Sequence, residues 1–150
     1  MKQQTGFSLI ELLVVIAIIL IIVAIAVPNL MRSQMAANEA SAASSVRTVV
    51  SMETQYKINS GSYGTLAELN TANLIDAALG VTGVKSGYNF ASAGILMDAF
   101  QITAVPSSPG NSGVRAFCAD QNSIVKVDGT SNPPTPGTGA GCLAGNTPLQ

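Results

Sequence analysis

One carboxylate stands where a charge is hardest to keep. Glu11 lies within residues 7–27, of which 19 of 21 are apolar, Ser8 being the other exception. An acid held in hydrocarbon is costly unless a partner meets it. No Lys or Arg occurs between Lys2 and Arg32, so this stretch supplies no cation of its own. A cut before Phe7 would create one. The new α-amino group would then stand four residues, about one helical turn, from Glu11. The same amine on a neighbouring copy is the other partner available, and it would make Glu11 a self-assembly signal.

Other chemistry is sparse. The chain has no His, which excludes His-dependent triads, imidazole metal sites and imidazole proton shuttles. Cys118 and Cys142 cannot make a four-ligand zinc site without His. In an exported, oxidising compartment they are expected to form a disulfide, with two free buried thiols as the alternative. Closing the 23 residues between them would contribute roughly 3–4 kcal/mol. Asp98, Asp120 and Asp128 are too scattered for a calcium loop and read as turn and surface residues, so no metal is expected. A net charge of −1, with seven Lys and Arg spread singly, leaves no electrostatic footprint for nucleic acid. No catalytic residue and no cofactor are expected, and the protein is not read as an enzyme.

Apolar residues make up 47% of the 150-residue chain, an ordinary share, whereas charged residues make up only 10% against about 25% for soluble domains. The hydrophobic excess is concentrated in residues 7–27. About 20 apolar helical residues cross a bilayer core of roughly 30 Å, and this segment shows no polar stripe. A secretory signal peptide is one reading, with Lys2 as its basic start. The run exceeds the usual 7–15 residues and carries an acid near its beginning, and no clean small-x-small cleavage site follows it. A plain single-pass anchor explains the length and leaves Glu11 unexplained.

The order Gly6-Phe7-Ser8-Leu9-Ile10-Glu11-Leu12, followed by an apolar helix and Pro28, closely resembles the class III signal of type IV pilins and type II secretion pseudopilins. The resemblance covers roughly residues 1–60. It implies removal of residues 1–6 by a prepilin peptidase cutting between Gly6 and Phe7, N-methylation of Phe7, and Glu11 neutralising the amine of an adjacent subunit as a filament grows. It also implies an inner-membrane precursor, an assembly platform with its ATPase motor, an outer-membrane secretin, and a homo-oligomeric helical filament at the cell surface. Leu20 stands where many members carry a helix-loosening Gly.

These residues need a long helix to position them. Pro28 lacks an N–H and opposes the carbonyl of Ala24, so a kink or local melting is expected at 24–28. Residues 29–59 contain no Gly or Pro. Met35, Ala42, Val46, Val49, Val50 and Tyr56 recur at spacings of three, four and seven, which predicts an amphipathic continuation. Arg32, Glu39, Arg47, Glu53 and Lys57 are read as its polar relief. The Ala/Ser run 35–45 is either a seam for close helix approach or filler. Together the two segments make about 53 residues of helix, or about 80 Å.

The head, residues 60–150, opens with a break at 59–64, then a turn of helix at 65–69 capped by Thr65 with Glu68 three residues on. The spacing Tyr56, Tyr63, Leu66, Leu69 is similar to the helix-to-loop transition of pseudopilin-like proteins. Residues 70–87 read as a loop with a helical piece near 74–79. Strands are expected at 88–93, at 100–104 ahead of Pro106, at 114–119 and at 124–127, the last two joined by a turn at 120–123. The predicted class is α+β: a long N-terminal helix packed on a small antiparallel sheet. Residues 130–141, rich in Pro, Gly, Thr and Ser, cannot build a core alone and read as a surface tail stapled by the disulfide.

The leading functional reading is a structural subunit of a type IV pilus. A heterologous contact that does not close on itself generates a helical polymer. A pseudopilin of a type II secretion system is the alternative, and the disulfide and Pro/Gly-rich tail favour the pilus. A tethered enzyme or binding domain is the reading from a different class. The absence of His, the isolated carboxylates and the lack of a Gly-rich strand-to-helix loop stand against it.

Overall fold

The computed structural model describes residues 7–93, 95, 97–129, 142 and 147–149. Residues 1–6, and with them the expected leader and Gly6, lie outside the described residues, as does the whole of the expected surface tail at 130–141. The chain divides into two compact units, Met1–Gln34 and Met35–Gln150. Helix α1, Leu9–Ser60, contributes to both.

In the first unit α1 begins after Ser8 and runs unbroken through residues 24–28, so the local melting expected at Pro28 is absent. Proline costs the helix one hydrogen bond there, and the flanking turns keep theirs. Asn29 Nδ2 also donates to the Ile25 carbonyl at 3.1 Å.

The second unit builds its core on one face of α1. Ala42, Ala43, Val46, Val49 and Val50 are buried together with Tyr88, Phe90, Phe100, Ile102, Ala104, Phe117 and Ala119. The helix–sheet class expected from the sequence is therefore present. Ala36, Ala37, Ala40 and Ser44 stay exposed while Ala42, Ala43 and Ser45 are buried, so the Ala/Ser run is divided between surface and core. The break after Ser60 leads to α2, Leu66–Thr71, with both halves of its capping box formed: Glu68 N–H donates to Thr65 Oγ1, and Thr65 N–H to the Glu68 carboxylate. The next helical piece is a π-helical turn at Ala78–Thr82, later than expected. Asp76 accepts the Leu79 N–H at 2.9 Å and thereby sets where that turn starts.

Among the described residues, six strands form an antiparallel sheet in sequence order: β1 Val84–Lys85, β2 Tyr88–Ala93, β3 Gln101–Pro106, β4 Ala116–Asp120, β5 Lys126–Asp128 and β6 Thr147–Pro148. Strand β1 falls in the stretch expected to be loop. Its two-residue turn into β2 uses Ser86 and Gly87, both at positive φ, as tight hairpins require. β4 starts two residues later than expected because the Val114 and Arg115 N–H groups are given to Glu39 instead. The turn at 120–123 closes as expected, with Ser123 N–H on the Asp120 carbonyl and Asn122 N–H on its carboxylate, each at 2.9 Å.

Strand β3 departs from simple alternation. Gln101 and Thr103, which alternate with Phe100, Ile102 and Ala104 in the sequence, are buried along with them. Cys142 lies against this second face through a disulfide to Cys118, 24 positions earlier in the sequence, with Cα atoms 5.9 Å apart.

Candidate functional site

Ser8 precedes the first helical turn, and Ser8-x-x-Glu11 has the spacing at which an acid reaches back to the start of its own helix. That contact is present. The Ser8 N–H donates to the Glu11 carboxylate at 2.9 Å, and the Leu12 N–H to the Ser8 carbonyl at 3.2 Å. Glu11 thus satisfies a donor that a helix start leaves without an intrahelical partner, and it stands where the helix dipole favours negative charge. Phe7 is 79% exposed immediately before this turn. Phe7 therefore stands next to Ser8, just ahead of the turn that carries Glu11.

Everything that follows is a bare apolar surface. Leu9, Ile10, Leu12, Leu13 and the large apolar side chains onward to Met31 are all 45–80% exposed. The most apolar 18-residue window of α1 has a mean hydropathy of 3.4 and none of it is buried. Apolar area contributes about 25 cal/mol per Å² when removed from water. A surface of this extent requires lipid or other protein.

Two further acids were misread from the sequence. Glu39 and Glu53, expected as polar relief, are buried. Glu39 accepts N–H bonds from Val114 at 2.8 Å and Arg115 at 3.2 Å, and the Arg115 Nε at 2.6 Å. Burial pushes its carboxyl up, but the Val114 bond, the guanidinium and the Arg115 bond outweigh that and hold it below the ordinary carboxylate range. Glu53 is fully buried. Burial pushes its carboxyl up to about 7, with the nearby Glu68 charge adding and the 3.0 Å bond from the Gly64 N–H opposing. Both acids lie seven residues from Val46, in register with the apolar stripe. That signal was present in the sequence.

Lys57, half-buried, pairs with Asp98 at 2.8 Å and lies 4.6 Å over the Tyr63 ring. Asp98 is a surface residue, as expected. Asp120 is not: it is buried, and its carboxylate takes the Cys142 N–H at 3.1 Å. Among the described residues, no three acid or sulfur side chains gather in a way that could hold a metal.

An apolar, exposed amino-terminal helical surface whose one acid, Glu11, lies a turn from Phe7 is the arrangement expected of a subunit that packs against copies of itself. Comparison agrees. A family model described as the prokaryotic N-terminal methylation motif matches residues 1–27. The type IV wide pilus major component PilA4 of Thermus thermophilus is 36% identical over 93 residues, which is 62% of this chain and 68% of that protein. The chain belongs to the type IV pilin family.

Proposed function

We propose that this chain is the structural subunit of a type IV pilus, made as an inner-membrane precursor and polymerised after a prepilin peptidase cuts between Gly6 and Phe7. The observation that carries this reading is Glu11. It stands at the start of an otherwise apolar, wholly exposed helical surface, one turn from the residue whose amine the cut would free. In the membrane, the bond from Ser8 N–H partly satisfies the carboxylate. In the filament, the cationic Phe7 amine of an adjacent subunit completes it, and this pairing sets the axial register. N-methylation of Phe7 keeps that amine basic. The apolar surface then exchanges lipid for the same surface on other copies, and Pro28 is where the helix bends as it leaves the bilayer.

An inner-membrane platform with its ATPase motor supplies the work of extraction, and an outer-membrane secretin the exit. The similarity to a major pilus component favours a pilus over a secretion pseudopilin. Substituting Glu11→Gln, which keeps size and removes the charge, tests the reading. Processed subunit is expected to accumulate in the membrane with no filament. Normal filament yield from that variant would overturn the reading.

A further inference from the structure

Strand alternation divides the sheet into two faces. Ile102, Ala104, Phe117 and Ala119 face the core with α1, and Gln101, Thr103, Cys118 and Asp120 project the other way. On that second face Cys118 is directly opposite Lys126 of β5, and Asp120 directly opposite Gln101 of β3. Three of these four converge on one residue far along the chain. Cys118 holds Cys142 by the disulfide. The Asp120 carboxylate accepts the Cys142 N–H at 3.1 Å, and the Lys126 ammonium donates to the Cys142 carbonyl at 3.0 Å. The fourth, Gln101, donates from Nε2 to Cys118 Sγ at 3.3 Å. Both backbone polar groups of Cys142 are therefore taken by charged side chains from adjacent strands. A disulfide needs none of this to form, since it fixes only the two sulfur atoms and their Cβ geometry.

We propose that Asp120 and Lys126 form a docking socket that recognises the backbone of Cys142 before its thiol is oxidised, so that the disulfide locks a residue already in place. Closure joins the two Sγ atoms. The two thiols together give up two electrons and two protons to a disulfide oxidant of the exported compartment, which leaves as a dithiol. The socket raises the local concentration of one thiol at the other and selects Cys142 without help from a preformed bond. Its two contacts are charge-assisted and partly or wholly shielded from water, where such bonds are strongest.

Hydrogen exchange on the full chain in detergent micelles tests this. In the C118S/C142S chain, the amide at position 142 is expected to exchange at least about tenfold more slowly than an unstructured amide. Adding D120N or K126M should return it to the unstructured rate while the Ile102 and Ala104 amides of β3 stay protected. D120N leaves either Cys142 or Asn122 facing a donor in place of an acceptor. Among the described residues, K126M removes the side-chain bond to the Cys142 carbonyl and leaves Asp120 intact, so it decides the matter if D120N disturbs β3. In the chain that retains both cysteines, either substitution should shift the equilibrium with glutathione about tenfold toward the thiols. An unprotected amide at position 142 in C118S/C142S, or an unmoved glutathione equilibrium in K126M, would overturn the proposal.

Discussion

Glu39 and Arg115, 76 positions apart in the chain, meet at 2.6 Å between carboxylate and Nε, while the same carboxylate takes the backbone N–H groups of Val114 and Arg115. One helical side chain thereby fixes the approach to β4 against α1. This link decides where the strand begins, because two amides that might have entered the sheet are spent on the helix.

Glu39→Ala is expected to destabilise the head by about 2–3 kcal/mol, since it leaves two amides and a guanidinium without their acceptor. Because the folded-state carboxyl lies below its unfolded value, its contribution is fully present above the ordinary carboxylate pKa. That contribution is lost as pH falls through the lower folded value. Urea unfolding of the full chain in detergent at pH 3 to 7 should give a steeper acid loss in the parent than in Glu39→Gln.

Glu53 behaves in the opposite sense. Its folded carboxyl is raised to about 7 from 4.5, so the folded state holds the proton more tightly than the unfolded chain. Stability from this group is greatest below about pH 4.5 and declines as pH rises through 7, by about 3 kcal/mol at most. Glu53→Gln keeps an acceptor for the Gly64 N–H and never ionises. It should stabilise the head at pH 8 relative to the parent, by thermal unfolding, and the two should converge near pH 5. A variant less stable than the parent at pH 8 would contradict the assignment.

Gly80 is confined by its neighbours rather than by its backbone angles. A Cβ there would overlap Asn70 Cβ and come within 2.9 Å of the Leu66 carbonyl. Gly80→Ala should therefore cost about 2 kcal/mol by forcing the π-helical turn away from α2, read as a lowered midpoint in denaturant. Gly61 and Gly110 both have φ of +82° and open space around the Cβ position, so Ala there tests backbone strain alone.

Reduction of the Cys118–Cys142 bond should cost about 3.5 kcal/mol, the loop-closure value for a separation of 24. Cys118 is fully buried and Cys142 nearly so. Alkylation of reductant-treated protein should therefore track unfolding of this region rather than proceed freely.

The long helix, the order of the main strands, the capping box at Thr65 and the cysteine pair were all legible, because each rests on local spacing or on a short list of partners. Glu39 and Glu53 were not read as buried, since residue type was allowed to outweigh their heptad register with Val46. Gln101, Thr103 and Asp120 depended on Cys142 covering a second sheet face, which no local pattern encodes. The Ser8-x-x-Glu11 contact has the same spacing as Thr65-x-x-Glu68. Its spacing alone does not separate this local contact from a pairing of Glu11 with an amine at Phe7. Gly80 gave no signal, as its constraint comes from α2 across space.

The central claim is that Phe7 becomes the amino terminus of a filament subunit guided by Glu11. Filaments sheared from cells producing the parent chain or Glu11→Ala, imaged by electron microscopy and identified by intact mass, test it most directly. Parent filaments are expected to consist of a subunit that begins at a methylated Phe7, and Glu11→Ala is expected to give no filaments. Filament subunits that retain residues 1–6, or filaments of undiminished yield from Glu11→Ala, would contradict it.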